Sequence, residues 1–240
     1  MKNKIIVESK NDMHFVKCLL EKVQKGRDHN VQVGVEEIFP DAIVDFAELE
    51  GSDKTKLKTK LKDVIADVRR EKIQKVGILL DRDEVPESER IQLINEAVQT
   101  ACTEMGAVCS GTIAEPNTFY EVTYQEQRFS VVCGLVGLEG KGELTHLLRA
   151  TANQPSDFAD CLQAWRDCAQ TQEKTIKDKE YVKLWVDFYI RWDTCSKKDR
   201  KQADKKCSMS TFETVLDKDI FDFEHPALSD LRTFLAPFAN

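Results

Sequence analysis

Apolar positions along the first third of the chain change period several times, and each change marks an element. Residues 4–7 are a short run of strand type ending in Ile5, Ile6 and Val7, after which Phe15, Val16, Leu19, Leu20 and Val23 recur at helical spacing. Asn11 or Asp12 stands where that helix needs a cap, and Gly26 where it should stop. Residues 31–39 set Val31, Val33 and Val35 against smaller or polar neighbours, which predicts a second strand, followed by a connection holding Pro40 and Gly51. Residues 54–72 put Leu57, Leu61, Ile65 and Val68 on one face of a helix and charges on the others. From Val76 to Leu80 both alternating faces are apolar, as in a parallel strand covered by helices on both sides. That run passes directly into Asp81, Arg82, Asp83 and Glu84.

Pro86 suits the first turn of a third helix, which carries Ile91, Leu93, Ile94, Ala97, Val98 and Ala101 and ends near Gly106. Residues 129–136 form the strongest later strand, and residues 143–150 open another helix after a glycine-rich turn. Beyond Asn153 the apolar spacing becomes helical, first through Phe158, Cys161, Leu162 and Trp165, then through Tyr181, Leu184, Trp185, Phe188 and Tyr189. A lysine-rich stretch over 196–206 interrupts it, and residues 226–239 predict a last short amphipathic helix. The expected architecture is therefore α/β: a mostly parallel sheet with flanking helices over 1–153, then a helical C-terminal region over 154–240.

At 240 residues and 41% hydrophobic content the chain can bury a sizeable core. Its eight cysteines are scattered, with no C-x-x-C pair and no zinc-like Cys/His grouping, so they are expected to be reduced thiols, mostly packed. No apolar run is long enough to span a bilayer and no leader pattern opens the chain, which points to a cytoplasmic protein with no membrane partner. A net charge of −7 argues against a protein that coats nucleic acid through its whole surface, though not against a local basic groove.

Carboxylates stand where chemistry is expected. Ligands of a doubly wound sheet bind outside the carboxyl ends of its strands, and Glu8 and Asp81 each follow an apolar strand. Alternation along an extended segment would send Asp81 and Asp83 to the same side. Three converging carboxylates repel one another unless a hard cation with oxygen ligands joins them, and Mg2+ (or Mn2+) fits that need while keeping positions for water and phosphate oxygens. An EF-hand loop starting at Asp81 is excluded, because its sixth and twelfth places hold Pro86 and Gln92. A phosphate-binding loop over 134–142 is excluded as well, since Lys141 is followed by Gly142 and not by Ser or Thr.

The run from Ile5 to Asp12, a strand ending in Glu8 with an acid four places later, resembles the first motif of Toprim domains. Gly51 matches their glycine after the second strand, and the run from Gly77 to Asp83 resembles their second motif, a strand entering Asp-x-Asp. The resemblance covers roughly residues 1–150 and is greatest to the stand-alone OLD-like nuclease branch. It implies that Glu8 is a metal ligand or general base, that Asp81 and Asp83 are metal ligands, and that Glu84, Glu139 and Glu143 are further acids, Glu143 being the favoured one. The branch also uses a downstream lysine; no motif fixes it here, and Lys183 is the candidate.

The resemblance implies a Mg-dependent nuclease or related phosphoryl-transfer enzyme, a phosphodiester hydrolase acting on DNA or RNA. The alternative is a non-catalytic Toprim scaffold that binds nucleic acid or a protein partner such as a separate ATPase, and homo-oligomerisation is compatible with either. A third reading makes Asp81 a phosphoacceptor. Two basic runs, Lys54 to Lys62 and Lys197 to Lys206, offer phosphate contacts. Trp165, Trp185 and Trp192 are expected in a helical core, and His14, His29, His146 and His225 are isolated in sequence.

Overall fold

A computed structural model describes residues 2–24, 32–39, 52–138, 140 and 142–239 of the protein. It is α/β, and its contacts divide the chain into two compact units: Met1–Val136 with Ser229–Asn240, and Gly137–Leu228. The sequence pattern sets its boundary near residue 153, whereas the contacts divide at 136/137 and group the C-terminal residues with the sheet. Among the described residues no helix is long and apolar enough to cross a membrane.

In the first unit the elements run β1 (Lys2–Ser9), α1 (Lys10–Gln24), β2 (Gln32–Phe39), α2 (Ser52–Glu71), β3 (Ile73–Asp81), α3 (Glu87–Met105), β4 (Val108–Cys109), β5 (Tyr120–Tyr124) and β6 (Gln127–Val136). They form a six-stranded mixed sheet in the order β2-β1-β3-β6-β5-β4. β2, β1, β3 and β6 are mutually parallel, while β5 is antiparallel to both β6 and β4. Val31, Gly26, Pro40 and Gly51 lie outside the described residues.

One side chain in two on β3 faces α2 and α3. Val76, Ile78 and Leu80 share a core with Leu57, Leu61, Ile65 and Val68 of α2 and with Ile94, Ala97, Val98 and Ala101 of α3, which is the amphipathic pattern of both helices realised. The intervening positions of the sheet include Gly77 and Gly134. A Cβ built at Gly77 would lie 2.7 Å from the ring of Phe238, and one at Gly134 would lie 2.6 Å from that of Phe234. The two glycines thus make room for aromatic rings of the C-terminal helix Ser229–Leu235 and the turn Ala236–Phe238 that follows. Asn3 secures the same end by donating to the Phe238 carbonyl at 3.2 Å. Burial of these rings on the sheet is the physical reason the last residues belong to the first unit.

Helix α1 is capped two or three residues earlier than the pattern suggests. Ser9 is its N-cap, and the Asp12 carboxylate accepts from the Ser9 amide at 2.8 Å and from its hydroxyl at 2.6 Å, while the Asp12 amide donates back at 3.3 Å. This is a capping box that satisfies helix-end donors reciprocally. At the far end of α3, Gly106 adopts φ 69 and terminates the helix as expected.

The second unit contains α4 (Leu144–Ala150), α5 (Asp157–Asp160), α6 (Leu162–Thr171), α7 (Asp178–Phe188), a π-helical turn over Tyr189–Asp193, α8 (Ala203–Lys206) and α9 (Phe212–Leu216). Its core is aromatic. Trp185 stacks on Tyr189 with centroids 5.2 Å apart, and the buried Tyr189 hydroxyl donates to the Ile220 carbonyl at 2.8 Å while accepting from the Gln154 amide at 3.0 Å. The expectation that all eight cysteines are thiols is corrected here, because Cys195 and Cys207 form a disulfide. Two cysteines 12 residues apart show no pairing signal in sequence; the fold brings their Cα atoms to 5.8 Å.

Candidate functional site

Strand β1 leads through α1 to β2 on one side and β2 leads through α2 to β3 on the other, so the chain reverses its winding between β1 and β3. Such a switch point opens a crevice at the carboxyl ends of the two strands, because their connections leave in opposite directions. Val7 is in register with Leu79, which brings Glu8 and Asp81 to that opening. The Asp81 amide donates to Glu8 Oε2 at 3.1 Å, and both residues are half-buried. The fold therefore unites two of the acids singled out from sequence.

Asp83 is oriented otherwise. Strand β3 ends at Asp81, so strand alternation does not reach Asp83, which adopts φ 53. Its carboxylate is bonded by the guanidinium of Arg90, a buried residue of α3. Arg82 pairs with Glu87 at the start of the same helix, and its amide donates to the Val136 carbonyl at 2.8 Å. Glu84 is exposed. Among the described residues no three His, Cys, Asp or Glu side chains are grouped as a metal site. Asp12, the acid of the first motif, serves the α1 cap.

Beside these strand ends lies a cleft of about 230 Å³, lined by Leu79 and Arg82 after β3, Gly134 and Leu135 of β6, Asn117, and Asp230 of the C-terminal helix, among others. Asn117 has φ 64, a conformation asparagine tolerates better than most residues, and its amide donates to the Cys133 carbonyl at 2.8 Å. Asparagine in a turn and aspartate at a helix start are common, so neither Asn117 nor Asp230 carried a signal in sequence.

The remaining acids and the lysine form a centre of their own in the helical unit. Gly140 and Gly142 have φ 84 and φ 91, and a Cβ at Gly142 would meet the His146 ring at 2.8 Å. The turn leads into Glu143, whose amide donates to His146 Nδ1 at 3.2 Å. Glu143 is 6% exposed and its carboxylate is bonded by the Thr145 hydroxyl at 2.8 Å, Lys179 Nζ at 2.9 Å and Lys183 Nζ at 3.2 Å. Two ammonium groups offset the desolvation of one buried carboxylate. His146 Nε2 stands 3.6 Å from Asp178, which Arg166 contacts at 3.2 Å. Partial burial raises the Asp178 pKa, but Arg166 and His146 outweigh it and hold the carboxyl below its ordinary range. Thus Lys183 serves Glu143, and His146, isolated in sequence, joins the same network. Glu139 and Lys141 lie outside the described residues.

The chain belongs to the DUF3226 family, described as proteins of unknown function, whose model matches residues 2–240. No curated protein and no solved structure matches it.

Proposed function

We propose that the protein is a divalent-metal-dependent phosphodiester hydrolase acting on nucleic acid, with Glu8 and Asp81 as its metal-holding pair. The observation that carries this reading is the meeting of the two residues at the switch point, with the Asp81 amide 3.1 Å from Glu8 Oε2. Their donor set suits Mg2+ or Mn2+, since Mg2+ is commonly held through one or two carboxylates with water and substrate phosphate completing its shell. A set that also includes Asp83 requires that carboxylate to exchange Arg90 for the ion. When bound, the ion supplies the Lewis acidity that phosphodiester hydrolysis needs at neutral pH.

The chain's own residues then divide the work. Glu8 is oriented by the Asp81 amide, which fixes one of its carboxylate oxygens at the strand ends. Arg90 restrains Asp83 next to the pair, and Arg82 contributes a guanidinium to the wall of the adjoining cleft. A second reading, a non-catalytic Toprim scaffold binding nucleic acid or a protein partner such as a separate ATPase, is favoured by the same Asp83–Arg90 pair, which occupies an acid that three-carboxylate catalysis would use.

Calorimetric titration with Mg2+ and Mn2+, alongside plasmid and RNA cleavage, tests the hydrolase reading on wild type and Asp81→Asn. The variant should retain the fold and lose both ion binding and cutting. A wild type that binds neither ion, or a variant that cuts undiminished, overturns the proposal.

A further inference from the structure

The helical unit splits its aromatics into two sets. Trp185 and Tyr189 are buried and stacked, whereas Trp192, in the π-helical turn, is 44% exposed and Phe158, on α5, is 55% exposed. A packed core accounts for the first set and not for the second. Trp192 and Phe158 line one cleft of about 500 Å³ together with Asp157, Asp193, Arg200 and Lys218, among others. That volume falls in the range of ligand sites and exceeds what one nucleobase fills.

The lining sets Arg200 and Lys218 against Asp157 and Asp193, and the cationic segment 196–206 next to it in sequence supplies the positive excess that suits an anion carrying flat rings. Arg200 donates to the Trp192 carbonyl at 2.9 Å and to the Cys195 carbonyl at 3.3 Å, and its guanidinium lies 5.8 Å from the Trp192 ring. These partners hold the side chain without neutralising it, and no carboxylate among the described residues pairs with it. Asp193 is committed elsewhere: it caps α5 by accepting from the Phe158 and Ala159 amides at 2.9 and 3.0 Å. Lys218 faces Asp199 at 3.6 Å and the Cys207 sulfur at 3.1 Å. The segment 196–206 carries six cationic side chains against Asp199 and Asp204, in a chain whose net charge is −7. The Cys195–Cys207 disulfide brackets this segment, and a closed loop loses less conformational freedom when it binds.

We propose that this cleft is a binding site for single-stranded nucleic acid. Trp192 and Phe158 take nucleobase faces, Arg200 and Lys218 take the adjoining phosphates, and Asp157 is the acceptor for N–H groups on a base edge. Exposed aromatics beside cations are the recurring means by which proteins hold single strands, each stacked base contributing roughly 1–3 kcal/mol. The proposal deepens the nucleic-acid reading above by supplying a substrate-holding surface, and rests on it for the identity of the ligand.

The test is fluorescence anisotropy of labelled single-stranded DNA and RNA 12-mers, and of a duplex, with the full chain in EDTA, so that the strand-end acids are not involved. Trp192→Ala and Phe158→Ala should each weaken single-strand binding about five- to 150-fold, with unchanged thermal melting. Arg200→Lys should preserve affinity better than Arg200→Ala, and Arg200→Ala should lower the slope of log K against log salt by about 0.7. Equal affinity of wild type and Trp192→Ala, a wild type that prefers duplex, or a Trp192→Ala effect confined to self-association in sedimentation overturns the proposal. If binding depends on Trp192 while Asp81→Asn still cuts, the hydrolase reading fails and the cleft stands. If Asp81→Asn abolishes cutting while Trp192→Ala binds normally, the cleft fails alone.

Discussion

The two units use the same chemical group in opposite ways. In the sheet unit Glu8 and Asp81 stand half-buried at the ends of adjacent parallel strands, and the Glu8 carboxylate accepts a backbone amide. In the helical unit Glu143 is buried and held by a hydroxyl and two ammonium groups. One arrangement sets two acids side by side; the other balances an acid by charges from a neighbouring helix, α7. The difference teaches that a carboxylate's setting, more than its position after a strand or a glycine turn, separates a candidate ligand from a structural tie. Neighbouring acids favour a cation, whereas a buried acid with two lysines already has its counter-charge.

The largest expected effect tests the frame that holds the sheet-end pair. Gly134→Val should destabilise the protein by about 3 kcal/mol, because the new Cβ meets Phe234 at 2.6 Å and Leu79 at 2.9 Å. Chemical denaturation measures it, and a cost below that of an exposed glycine substitution would show that the C-terminal helix does not need that space.

A smaller effect sharpens the contrast between the acids. Glu143→Ala should cost about 2 kcal/mol, below the usual penalty for breaking a buried pair, because Lys179 and Lys183 are 33% and 31% exposed and water screens them. Asp81→Asn, which keeps the shape of the side chain and removes one of two neighbouring negative charges, should change stability by about 1 kcal/mol or less. Thermal unfolding of the two variants side by side checks this, and a reversed order would assign the structural role to the strand ends.

The smallest effect concerns acid. A folded-state pKa held low means that Asp178 adds stability at pH above its unfolded value, and that this contribution fades as pH falls through the folded value. Asp178→Asn should therefore flatten the low-pH limb of the stability profile and lower its level near neutrality by a similar small amount, with no change of slope there. An unchanged acid limb would detach Asp178 from the Arg166–His146 network.

Much of the sheet unit was legible because its elements write themselves in local periods. The doubly apolar run from Val76 to Leu80 required a buried parallel strand, and the faces of α2 and α3 required a surface to cover. The same logic put Glu8 and Asp81 at strand ends, since a carboxylate following an apolar run marks the place where burial stops. Asp83 was less legible, because alternation holds only while the strand continues, and β3 stops at Asp81.

The sequence by itself determined the α/β class, the parallel core of the sheet, the helix faces that cover it and the acids at its strand ends, all of which follow from spacing within a few turns or strand lengths. Tertiary structure alone decided what depends on residues far apart in the chain. It seated Phe234 and Phe238 against Gly77 and Gly134, gave Asp83 to Arg90 and both Lys179 and Lys183 to Glu143, joined Cys195 to Cys207, and left Trp192 at the rim while burying Trp185. The physical reason is that periodicity reports which side of an element is apolar, whereas the partner a side chain meets depends on which elements pack together, and that is set by the whole chain.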